Sequence, residues 1–159
     1  MSARVEITLT VNGERVTRSV EARRHLIDFL RLDLGLTGSH AGCEHGVCGA
    51  CTVRLDGEIV RGCLVVAASL DGAEIVTIEG LSNSEEAADL QAHFVARNAA
   101  QCGYCTPGMV MAAVDLLRNN PSPTEEEVRH GLEGNLCRCT GYQAIVDAVE
   151  DTLAARRSA

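Results

Sequence analysis

The chain has 159 residues and a net charge of −8, which excludes the broad basic surface that nucleic-acid binding needs. Apolar residues make up 46% and aromatics only 3%, so a globular core here must rest on Val, Leu, Ile and Ala. The length admits one domain or two small ones, each marginal without extra support.

Residues 4–11 alternate apolar and polar side chains, the pattern of a half-buried strand. Asn12-Gly13 predicts a tight hairpin turn, and residues 15–20 return as the partner strand. Residues 25–34 place Leu26, Ile27, Leu30 and Leu34 at helical spacing, with Gly35 as the C-terminal cap. The next stretch, residues 37–50, holds four glycines, which leave backbone N–H groups open to an anionic group. Residues 51–55, the Asp56-Gly57 turn and residues 58–60 predict a second hairpin. Residues 64–70 are read as a short helix and residues 74–78 as a last strand.

Near residue 80 the alternation gives way to helical spacing, so the chain divides into domains at 1–80 and 81–159. Ser82-Asn83-Ser84-Glu85 reads as a capping box for a helix carrying Ala87, Leu90 and Phe94 on one face. Residues 109–119 place Val110, Val114 and Leu117 on one face. Thr124-Glu125-Glu126-Glu127 is a second capping box, ahead of Val128 and Leu132. Residues 142–155 align Ile145, Val146, Val149 and Leu153, and residues 154–159 are expected to fray. The fold class is α+β: a small mixed sheet compatible with a β-grasp, then a four-helix bundle.

The eight cysteines fall into two sets of four. Cys43, Cys48 and Cys51 follow the plant-type [2Fe–2S] spacing C-x4-C-x2-C, and Cys63 supplies the fourth thiol. Zinc is the competing reading, but zinc sites usually show two separated knuckles, whereas three thiols crowd one loop here. A Rieske centre would need two histidines, and His45 has no matching second. The other set pairs Cys102 and Cys105 with Cys137 and Cys139. By spacing alone it suits zinc as well as iron–sulfur; beside a plant-type cluster, a second cluster is the better reading, because redox centres are useful in series. Residues 1–6 lack the apolar stretch of a secretory signal, and no run approaches the roughly 18 apolar residues of a membrane span. The expected location is the cytoplasm, where such cysteines carry metal or redox chemistry rather than disulfides.

Three stretches together carry a resemblance: Gly42-Cys43-Glu44-His45-Gly46-Val47-Cys48-Gly49-Ala50-Cys51-Thr52-Val53, then Gln101-Cys102-Gly103-Tyr104-Cys105-Thr106-Pro107-Gly108, and then Gly134-Asn135-Leu136-Cys137-Arg138-Cys139-Thr140-Gly141-Tyr142. In this order they resemble the iron–sulfur subunit of molybdenum hydroxylases, the xanthine oxidase and aerobic carbon monoxide dehydrogenase family. The likeness runs from about residue 4 to 153 with no departure at the eight cysteines. It implies two [2Fe–2S] clusters, a ferredoxin-like first domain and a helical second one. It implies a small subunit of a heterotrimer, relaying electrons from the molybdenum–pterin cofactor of a large subunit to the FAD of a medium subunit. It also implies that Gln101 and the backbone at Cys139 approach the pterin; read from its own surroundings, Gln101 is only a polar turn residue. Nothing in the chain forms a substrate site, so bond-making belongs to another polypeptide. The alternative is a stand-alone two-cluster ferredoxin, and beyond it a zinc-stapled interaction module.

Overall fold

The computed structural model describes residues 3–158. Strands β1 (Arg4–Val11) and β2 (Glu14–Glu21) form an antiparallel hairpin. Its turn is Asn12-Gly13, both at positive φ, a twist that matches the strands it joins. Alternation turns Ile7, Leu9 and Val11 inward. Strands β3 (Thr52–Leu55) and β4 (Glu58–Arg61) make the second hairpin, and β5 (Glu74–Val76) lies between the two. The sheet order is β2-β1-β5-β3-β4, with β1 and β5 parallel.

The helical segment after β2 differs from expectation. Helix α1 (Leu26–Asp28) passes directly into a π-helical turn, Phe29–Asp33. The wider turn is closed by the Leu34 N–H donating to the Phe29 carbonyl at 3.1 Å. It lets Leu26, Ile27, Phe29 and Leu30 all stay buried. Gly35 follows at positive φ, the conformation that a helix-ending glycine supplies. The run after Cys63 is helical only as a 3-10 turn, Ala67–Ser69. Strand β5 ends at Val76, and Ile78 already belongs to α2 (Ile78–Ser82).

The remaining helices are α3 (Ala88–Ala96), α4 (Thr106–Asn119), α5 (Glu125–Leu132) and α6 (Gln143–Ser158). The capping box expected at Ser82 is not formed: the Ser84 hydroxyl donates to the Leu81 carbonyl, closing α2 instead of opening α3. The box at Thr124 is complete, with Glu127 reaching back to the Thr124 N–H. Helix α4 is not one-sided. Residues 108–115 are all buried, because α2, α3, α5 and the β3–β4 hairpin surround it. The tail is helical as far as Ser158, since Arg156 holds Asp89 with two bonds, at 2.6 and 2.8 Å; Ala159 lies outside the described residues.

The only two phenylalanines go one to each core, Phe29 under the sheet and Phe94 among the helices. Ile59 and Val76 from the sheet, and Ile78 from α2, pack onto the helical core. Arg118, steadied by Asp115 at 2.8 Å, donates to the Gly57 carbonyl in the β3–β4 turn. Among the described residues, no helix is long and apolar enough to cross a membrane.

The closest seam between the layers is backbone against backbone. A Cβ placed on Gly108 would lie 2.3 Å from the Gly49 carbonyl oxygen, a separation that neither main chain can relieve locally. Gly108→Ala should therefore cost about 1–3 kcal/mol and lower the melting temperature by roughly 2–4 °C per kcal/mol. Circular dichroism melting of the loaded protein checks this.

Candidate metal centres

The first cysteine set is assembled by a loop and a hairpin. Pairing of Thr52 with Arg61 at the open end of the β3–β4 hairpin brings Cys51 and Cys63 side by side. The Gly62 N–H donates to the Cys51 carbonyl at 3.1 Å, locking that register, and the two thiols lie close enough to influence one another's ionisation. Cys43 and Cys48 meet within the loop, where the Cys48 N–H donates to Cys43 Sγ at 3.3 Å. Gly49 must be glycine twice over: its φ is +74°, and a Cβ there would lie 2.5 Å from the Gly134 carbonyl oxygen.

The electrostatics of this set are graded. N–H groups of Cys48 and then His45 point at Cys43 Sγ and bring its pKa down to about 6. The thiolate is the form that binds metal. Cys51 is buried, and burial pushes its thiol up to about 11. It would shed its proton only to a strong local positive charge such as iron.

The second set is held between helices. Cys105 is the N-cap of α4, and Cys102 lies one turn earlier. Cys137 and Cys139 lie in the loop joining α5 to α6. Tyr142 folds back so that its hydroxyl accepts from the Cys137 N–H at 3.0 Å. The Thr140 hydroxyl donates to Cys137 Sγ at 3.1 Å; although burial of Cys137 acts the other way, such bonds bring its thiol below the ordinary range. Burial pushes Cys105 up to about 12. The thiol of Cys102 lies close enough to Cys139 for each to influence the other's ionisation, and Cys105 likewise feels Cys137.

The eight sulfurs thus gather as four pairs. Two thiol pairs side by side suit a core of two irons, each taking one pair. All-thiolate donors, loop N–H groups aimed at sulfur and a glycine-lined wall fit the same group.

The two sets differ in exposure. Cys51 and Cys63 are buried and Cys43 and Cys48 half-buried, whereas Cys102 and Cys139 are exposed. Gln101 is exposed beside Cys102 and makes no hydrogen bond among the described residues. Large apolar side chains also stand in the open on these loops: Val47 at 56%, Leu64 at 61%, Tyr104 at 47% and Leu136 at 50%. Tyr104 also joins the sets. Its hydroxyl donates to the Ala41 carbonyl at 2.7 Å, and its ring stacks on His40 with centroids 4.6 Å apart. This contact, and the polar residues Arg61, Thr52 and Asn135 between the loops, escaped the sequence reading. Thr52, Tyr104 and Asn135 lie within the three cysteine-bearing motifs, but Arg61 gives no signal.

Comparison with known proteins agrees with this donor chemistry. Residues 9–82 match the 2Fe-2S iron-sulfur cluster binding domain, and residues 77–150 match a second [2Fe-2S] binding domain. The chain is 57% identical over 150 residues to the nicotine 6-hydroxylase small subunit of Paenarthrobacter nicotinovorans, covering 94% of this chain and 90% of that one. It is 46% identical over 153 residues to the caffeine dehydrogenase subunit gamma of Pseudomonas sp. (strain CBB1), covering 94% and 91%. In solved structures, a chain of quinoline 2-oxidoreductase from Pseudomonas putida 86 superposes with a TM-score of 0.91 at 46% identity, covering 99% and 98%. The aldehyde oxidoreductase of Desulfovibrio gigas matches at a TM-score of 0.87 and 44% identity, over 97% of this chain but 17% of that longer one.

Cys48→Ser or Cys137→Ser should each lower bound iron from about four to about two atoms per chain. Only the Cys137 change should also lower the melting temperature markedly, because its site ties α4 to the α5–α6 loop. Iron analysis and thermal melting of the purified variants check both outcomes.

Proposed function

The chain belongs to the iron–sulfur small-subunit family of molybdenum-dependent hydroxylases and dehydrogenases, and from that premise we propose how its two cysteine sets share the work. Cys43, Cys48, Cys51 and Cys63 hold one [2Fe–2S] cluster, and Cys102, Cys105, Cys137 and Cys139 hold the other. Each cluster, when bound, takes up and gives off one electron with little ligand movement. The chain's own residues do the rest. The N–H groups around Cys43 and the Thr140 hydroxyl on Cys137 stabilise negative charge on sulfur. Burial of Cys51 and Cys63 keeps water from the inner end of the plant-type set.

The carrying observation is that two complete four-thiol sets sit on touching loops, one opening to the surface at Cys102 and Cys139 beside Gln101. We assign that opening to the molybdenum–pterin cofactor of a large partner subunit, to which Gln101 would hydrogen-bond and which the Cys139 backbone would approach. The plant-type set, flanked by exposed Val47 and Leu64, faces the FAD of a medium subunit. The domains are 1–80 and 81–159; α2 (Ile78–Ser82) forms the joint. Reduced thiols in this number favour a cytoplasmic location. Relatives at 57%, 46% and 45% identity are named for nicotine, caffeine and nicotinate. A nitrogen heterocycle is therefore the substrate class to try first on the assembled enzyme.

Purified from its host, the chain should come with two larger polypeptides that contain molybdenum and flavin. A free 16.9 kDa protein carrying both clusters would instead support a soluble ferredoxin. In the complex, Cys48→Ser should leave the molybdenum side reducible by substrate but stop reduction of flavin; normal flavin reduction would contradict the order assigned here. Gln101→Ala should keep all the iron yet lose pterin on gel filtration and lower turnover. Full pterin retention at normal turnover would remove that role from Gln101.

A further inference from the structure

One buried polar side chain between the cysteine sets has no part in holding either of them. Asn135 is 2% exposed in a loop whose other residues mostly face solvent. Its Nδ2 donates to the Gly49 carbonyl at 3.0 Å. Its Oδ1 accepts from Arg61 Nη2 at 3.3 Å. The same Arg61 nitrogen donates to the Gly134 carbonyl at 2.7 Å, and Arg61 Nη1 donates to Thr52 Oγ1 at 2.6 Å. The Thr52 hydroxyl donates in turn to the Gly49 carbonyl at 2.6 Å. The network clamps the loop ahead of Cys137 onto the loop behind Cys48, and a satisfied buried network of this kind fixes one geometry.

What the clamp holds is the next residue. The Leu136 N–H donates to the Cys48 carbonyl at 2.9 Å. From Cys137 Sγ to Cys48 Sγ the route is therefore covalent except for this one hydrogen bond. The crossing through Tyr104 lands on His40 and Ala41 rather than on a cysteine, and those of Asn135 and Arg61 reach Gly49 and Gly134. Electronic coupling decays slowly along covalent bonds and steeply across gaps, so the length of the Leu136–Cys48 bond governs the route.

We propose that Asn135, anchored by Arg61, is the positioning residue for electron transfer between the two cysteine sets, because it seats the Leu136 N–H on the Cys48 carbonyl. This rests on the relay reading given above. In each transfer the centre on the helical set is oxidised by one electron and the centre on the plant-type set is reduced by one; no atom changes place.

The test uses the purified complex carrying Asn135→Ala or Asn135→Asp. The aspartate keeps size and an acceptor for Arg61 but cannot donate to Gly49. Arg118→Ala is the control, since it loosens the seam at Gly57 without touching the bridge. Pulse radiolysis with methyl viologen delivers single electrons. Visible absorbance and freeze-quench EPR then follow their redistribution, and the magnetic splitting between the two reduced clusters reports relative placement. Both Asn135 variants should keep their iron, alter the splitting and slow redistribution clearly below the wild-type rate. Arg118→Ala should match wild type in both readouts. Wild-type rate and splitting in iron-replete Asn135 variants would overturn the proposal. So would loss of a cluster in both, which would assign Asn135 to assembly. Absence of any redistribution in the wild type would instead overturn the relay reading itself.

Discussion

Thiolates crowded into one loop repel one another, and burial penalises each of them further. Only a bound cationic core offsets both costs, and the rest of this structure follows from that constraint. Burial pushes the thiols of Cys51 and Cys105 up to about 11 and about 12, whereas Cys43, under a fan of N–H groups, is drawn down to about 6. An inner sulfur that gives up its proton only to metal and an outer one already inclined to ionise make the site both selective and easy to load.

Holding such sets near each other requires main chains closer than side chains permit. Gly49 and Gly108 allow the approach, Asn135 and Arg61 close it with hydrogen bonds, and Tyr104 seals its edge against His40. The apolar cores on either side, one around Phe29 and one around Phe94, give this seam two rigid supports. What remains exposed is then informative: Cys102, Cys139 and Gln101 at one set, Val47 and Leu64 at the other. A redox protein that leaves ligand cysteines and large apolar side chains in the open is shaped for neighbours.

Much of this was legible in the sequence because it is local. Period-two alternation, Asn12-Gly13 and Asp56-Gly57 located the hairpins, and cysteine spacing sorted eight thiols into two sets. The misreadings arose where tertiary contacts decide. Residues 109–119 looked amphipathic, but residues 108–115 of α4 are buried on every side. Ser82 looked like a cap, but α2 had already used that turn. The π turn at Phe29–Asp33 accompanies burial of Leu26, Phe29 and Leu30 under the sheet while Ile27 packs against Cys51 and Cys63, a demand that helical spacing alone does not reveal. The tail is helical through Arg156 and its distant partner Asp89. The pairing of sulfurs, and the polar clamp between loops, depend on residues far apart in the chain, such as Arg61 and Gly134.

The central claim is that both cysteine sets hold redox-active iron. Low-temperature EPR of the dithionite-reduced protein, with iron and zinc measured on the same sample, tests it most directly. Two distinct [2Fe–2S] signals with about four irons per chain are predicted. One signal, with about two irons and one zinc, would make the helical site structural and contradict the relay.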